Sequence, residues 1–135
     1  MTKSKIKPTP IALVVCDNIY QEPGGKLALV GLFNCFFAKS VPAVIPRLAA
    51  FASVTGLRKD SYAKLEIVHS ESEDAVVSAE GPFPENAAPT SVVDLHFIFN
   101  GVKFPEEGVY FVRFWANGHC MMMRPFKVQT KKGGS

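Results

Sequence analysis

Phe104-Pro-Glu-Glu-Gly-Val-Tyr-Phe-Val-Arg-Phe-Trp-Ala-Asn-Gly-His-Cys-Met-Met-Met-Arg-Pro-Phe126 decides the fold. Asn117-Gly118 separates two runs of strand-forming residues. A two-residue type I′ turn needs positive φ at both central positions, which Asn and Gly tolerate best. A reversal that tight sets the register by counting outward from it. Ala116 is then expected opposite His119, Trp115 opposite Cys120, Phe114 opposite Met121, Arg113 opposite Met122, Val112 opposite Met123 and Phe111 opposite Arg124. Cross-strand partners share a face. One face carries Tyr110, Val112, Phe114, Ala116, Met121 and Met123, without a charge, and reads as the core side. The other carries Phe111, Arg113, Trp115, Cys120, Met122 and Arg124, and is expected to meet solvent or a partner.

Upstream of this hairpin, Glu106-Glu107-Gly108-Val109-Tyr110 has the shape of a tyrosine corner. Such a tyrosine hydrogen-bonds backbone a few residues before it, at the start of a sandwich strand.

Length fits one domain that buries about two-thirds of its unfolded surface. The net charge of +3 is too small to argue for nucleic acid by itself. Cys16, Cys35 and Cys120 cannot close a disulfide framework, and their apolar neighbours predict buried thiols in a reducing compartment. Lys3, Lys5 and Lys7 precede Ile11–Cys16, but that apolar run is about half a signal-peptide core. Nothing approaches the ~20 apolar residues of a membrane helix. A soluble cytoplasmic protein is expected.

Residues 1–9 read as a basic leader, 10–129 as the domain and 130–135 as a flexible tail. Pro10 to Tyr20 is a first strand, closed by a turn at Gln21–Gly25 in which Pro23 presets φ and Gly24 takes the positive value. Lys26 to Ala38, apolar on both faces, reads as one long central strand, with Gly31 marking a bulge or a close backbone approach. Ser40 to Arg47, with Pro42 and Pro46, reads as a connection between sheets, and Leu48 to Leu57 as a third strand. Tyr62 to His69 alternates, with Ala63, Leu65 and Ile67 inward and Lys64 and Glu66 outward. Ala75 to Glu80 pairs with it naturally. Residues 81–90 are Pro-rich and irregular. Ser91 to Asn100 alternates again, with Asn100-Gly101 closing it. About eight short strands and no helix predict an all-β, antiparallel β-sandwich, with a small β-barrel as the alternative.

Several stretches together resemble a family of small bacterial proteins classed as a domain of unknown function. They are Cys16-Asp-Asn-Ile19, Gly25-Lys-Leu27, Leu29-Val-Gly-Leu-Phe33, Phe104-Pro-x-x-Gly-x-Tyr110 and, after Asn117-Gly118, Arg124-Pro-Phe-Lys-Val128. The resemblance spans roughly Ile11 to Val128. It implies an Ig-like sandwich and brings no catalytic residue or ligand with it.

Candidate chemistry is sparse. Cys16, Asp17, Cys35, His69, His96, His119 and Cys120 are metal-ligand types, but none shows zinc-site spacing, and adjacent His119 and Cys120 point to opposite faces. No metal or cofactor is expected. All three cysteines fall in strands, without the helix start or Gly-rich elbow that would lower a thiol pKa. Glu106-Glu107 and Glu71, Glu73 and Asp74 lie in polar loops, so no enzyme is expected. Phe111, Arg113, Trp115 and Arg124 on one face resemble a base-stacking platform, which makes RNA or single-stranded DNA the second reading. The simpler alternative is that Arg124 packs on Phe111 or Trp115 as a cation–π pair. The leading reading is a non-catalytic module that binds a protein or self-associates through Phe111, Arg113, Trp115, Met122 and Arg124. The alternative is that residues 81–90 cover that face.

Overall fold

Asn117 and Gly118 both take positive φ, 51° and 79°, so the chain reverses as tightly as its sequence predicts. The computed structural model describes residues 8–57, 61–83 and 90–130, and the features expected at 1–7, 84–89 and 131–135 lie outside them. Nine strands form, against the eight or so expected: β1 (Thr9–Gln21), β2 (Leu27–Leu32), β3 (Cys35–Ala38), β4 (Ala43–Thr55), β5 (Tyr62–His69), β6 (Ala75–Pro82), β7 (Val92–Phe104), β8 (Gly108–Ala116) and β9 (His119–Thr130). They make two sheets, ordered β2-β1-β4-β7 and β3-β9-β8-β5-β6. One of the two curls into half a barrel.

The main core lies between the sheets. Leu48, Ala50, Ala52 and Val54 of β4 meet Leu65 and Ile67 of β5 and Val112 and Phe114 of β8, all shut away from solvent. Tyr110, Phe104 and Phe126 stack at one end, with Tyr110 edge-on to Phe104 at 4.9 Å. A smaller cluster of Cys16, Ile19 and Ala49 packs with Leu27, Leu29, Phe51 and Ile98. Cys16 pairs with Ala49 and Ala49 with Ile98, so this cluster occupies the far side of the four-stranded sheet.

The tyrosine corner forms. Tyr110 Oη donates to the Glu106 carbonyl at 2.7 Å and accepts from the Glu106 amide at 3.3 Å. The Gln21–Gly25 turn also closes as its residues dictate, with the Gly25 amide donating to the Glu22 carbonyl and Gly24 at φ 92°.

Three expectations are corrected. Lys26–Ala38 is not one central strand, because β2 ends at Leu32 and β3 belongs to the other sheet, and each lies at an edge. Its apolar residues on both faces reflect this change of sheet. Gly31, at φ 74°, does mark a close approach: a Cβ there would overlap the Asp17 carboxylate. Residues 40–47 are not all connection, since β4 begins at Ala43 and runs through Pro46. Pairing of β4 with β1 reaches only Ala49, so Pro46 sits where the strand has a neighbour on one side alone and no missing N–H is felt. Nor does Asn100-Gly101 end its strand, because β7 continues to Phe104.

The fourth correction decides the faces. Ala116 pairs with His119 and Trp115 with Cys120 as expected, but Phe114 then pairs with Met122, Arg113 with Met123 and Val112 with Arg124. Met121 is the extra residue of a β-bulge, and the one-residue slip exchanges the faces of everything beyond it on β9.

Candidate functional site

On the outer face of the five-stranded sheet, the β5–β8 ladder sets Lys64 beside Trp115, Glu66 beside Arg113 and Val68 beside Phe111. Across β6, Glu80 pairs with Lys64 and Ser78 with Glu66. Across β9, Met123 pairs with Arg113 and Pro125 with Phe111. Alternation along three central strands thus collects aromatic, apolar and charged side chains on one surface.

Glu66 is the hub of this surface. It points away from the core, yet only 7% of it is exposed. The Trp115 indole Nε1–H donates to Glu66 Oε1 at 3.0 Å. Arg113 Nε lies 3.1 Å from the same oxygen, an ion-pair approach whose angle is too oblique for a hydrogen bond. Lys64 Nζ lies 3.5 Å from Oε2. Arg113 also reaches Glu73 at 3.5 Å and sits over the Trp115 ring, 5.7 Å from its centroid. A covered carboxylate costs several kcal/mol unless paired, and here two cations and an indole N–H share it. The consequence is an immobilised Trp115, held by its nitrogen and by one ring face.

Toward the Asn117–Gly118 turn, Tyr62, Lys64, Glu80, Trp115 and Gly118 line a hollow of about 310 Å³. Tyr62 is 46% exposed and Met123, on the other flank, 55% exposed.

Of the five residues assigned to this face, Phe111, Arg113 and Trp115 are there, each half-buried. Met122 and Arg124 are not, because the Met121 bulge turns them inward. Met122 packs on the main core, and Met123, expected inward, takes the outer position. Arg124 therefore packs on neither Phe111 nor Trp115; the cation over the indole is Arg113. Arg124 instead donates to the Leu13 carbonyl of β1 and to Asn34 Oδ1, bridging the two sheets. The loop expected to cover the face is described only at its ends. There, Phe83 turns inward and packs edge-on against Phe114 at 6.3 Å.

Glu66, Tyr62 and Glu80 were not singled out by the sequence. Alternation within Tyr62–His69 places Lys64 and Glu66 outward, but the partners that cover Glu66 come from β8, 47 and 49 positions later (113 − 66 and 115 − 66).

Other reactive groups are held quiet or apart. All three cysteines are free, but only Cys16 is buried; Cys35 is half-buried and Cys120 exposed, a correction to the uniform burial expected. Burial pushes the Cys16 thiol above its ordinary range, and hydrogen bonds with backbone only partly oppose it. That makes it a poor nucleophile. His69 Nδ1 accepts from the Glu71 and Ser72 amides at 3.2 and 3.4 Å, and Nε2 faces Glu106 Oε2 at 3.5 Å. The ring thus fastens the β5–β6 turn to the tyrosine corner. No three His, Cys, Asp or Glu side chains among the described residues are grouped to hold a metal. No helix among them is long and apolar enough to cross a membrane.

A model of a family of unknown function (DUF6941) matches residues 11–129, and the chain belongs to that family. No curated protein matches the chain.

Proposed function

We propose that the protein is a non-catalytic, Ig-like interaction module of the cytoplasm, which binds a protein partner or a second copy through the outer face of β5, β8 and β9. Three features support the Ig-like assignment: two sheets of mixed strand order, a tyrosine corner at the start of β8, and the parallel pairing of β3 with the last strand. Three free thiols suit a reducing compartment.

The observation that carries the binding reading is Trp115, fixed by Glu66 and Arg113 beside a hollow and flanked by exposed Tyr62 and Met123. Rigid aromatic and Arg side chains dominate protein-binding hot spots because they lose little entropy on contact. Met123 adds an adaptable edge.

Nucleic acid is the weaker reading. Arg124 faces inward, and Arg113 and Lys64 are both committed to carboxylates. Two cations, Lys64 and Arg113, stand against three carboxylates, Glu66, Glu73 and Glu80, on or beside this surface. A phosphate backbone gains nothing there.

A photoreactive phenylalanine analogue at position 123 tests the proposal. It gives one discrete protein adduct, and the same analogue at exposed position 30 on the far sheet does not. Light scattering of the wild type and Trp115→Ala then tells a second copy from another chain. Absence of an adduct at 123, or a salt-dependent change in Trp115 emission with short oligonucleotides, overturns it.

A further inference from the structure

We infer that the hollow beside Trp115 accepts the guanidinium of an arginine presented by the protein partner. This rests on the protein-binding reading above and specifies what that face recognises. Arg113 precedes Trp115 by two residues on the same face, so it covers the indole from the side toward the start of β8. Tyr62 and Gly118 line the hollow on the side toward the turn, where the indole presents its other ring face. An aromatic face beside a second exposed ring attracts a planar cation through the ring quadrupole.

Charge within the hollow agrees. Glu80 sits across the β5–β6 ladder from Lys64, yet the Lys64 ammonium is 3.5 Å from Glu66 Oε2 instead. Glu80 is exposed and pairs with no cation among the described residues. An anionic ligand would be repelled by it, and a neutral one would leave it unused. A guanidinium stacked on the indole satisfies both the ring and the carboxylate.

The test uses the full chain and the emission of Trp115, the only tryptophan. Acetyl-Gly-Arg-Gly-amide is titrated beside its citrulline counterpart, which keeps the shape and loses the charge. The arginine peptide binds at least about fivefold more tightly, and 0.5 M salt narrows the gap. Glu80→Gln, at an exposed position that leaves the circular dichroism unchanged, removes the preference; Tyr62→Ala weakens the arginine peptide alone. Equal responses to the two peptides, no response to either, or tighter binding of a Gly-Glu-Gly peptide overturns the inference. An adduct at position 123 that persists in Glu80→Gln, together with equal peptides, sinks only the arginine pocket. Loss of the adduct in the wild type sinks the face itself.

Discussion

Arg113 and Arg124 lie on facing strands of one hairpin, and they solve the same problem in opposite ways. Arg113 stays on the outer face and is neutralised by Glu66 and Glu73, with its guanidinium over Trp115. Arg124 turns between the sheets and meets only neutral oxygens, from Leu13 and Asn34, with its Nε left without an acceptor. The first arrangement builds a surface, because charge, carboxylate and ring hold one another in place within reach of a partner. The second builds a strut, which joins β9 to β1 at the cost of an imperfectly satisfied cation. What separates them is Met121.

The largest effects follow from that residue. Deleting Met121 removes the bulge and leaves every other β8–β9 pair in place, so the protein retains a cooperative urea transition. Deleting Met123 instead shifts the two halves of β9 by one residue against each other, sending apolar side chains outward, and abolishes that transition. If the Met121 deletion fails to fold and the Met123 deletion folds, the contrast between the arginines has been misassigned to the bulge.

Intermediate effects compare the two sites directly. Glu66→Ala removes the acceptor shared by Trp115, Arg113 and Lys64 and lowers stability by about 3 kcal/mol, with a red shift of Trp115 emission. Arg124→Ala costs about 2 kcal/mol through lost packing and an orphaned carbonyl, and leaves the emission unchanged. A red shift in the second variant would mean that the two faces are coupled.

The smallest effect concerns the tyrosine corner below both. Tyr110→Phe loses the hydrogen bond to Glu106 and about 1 kcal/mol. Burial raises the Tyr110 phenol above its ordinary value of 10.0. The unfolded chain therefore releases this proton first, and stability falls as pH rises from about 10 through the folded value. In denaturation between pH 9 and 12, Tyr110→Phe shows a shallower decline than the wild type.

Local signals were legible in the sequence where the chain needs a particular backbone conformation. Asn117-Gly118, Pro23-Gly24 and Gly108-x-Tyr110 each announce a turn or corner, and each forms. The bulge was not legible, because Cys120, Met121, Met122 and Met123 are all apolar and either parity satisfies them. The split of residues 26–38 was hidden for the same reason, as apolar residues on both faces suit a covered strand and a chain changing sheets equally well. Pro46 misled because a proline in a strand is harmful only where a neighbour waits for its N–H. The candidate site was half visible. Trp115, Arg113 and Phe111 follow from counting outward along one strand, whereas Glu66, Tyr62 and Glu80 enter through pairings of distant strands that no local pattern encodes.

Pairing of β3 with β9 carries a mechanical consequence. The two strands run parallel, with Cys35 beside Lys127 and Ala38 beside Thr130. Tension applied between the two ends of the domain pulls β3 and β9 in opposite directions along their length. The four paired positions then bear the load together, in shear, and must yield at once rather than peel apart one by one.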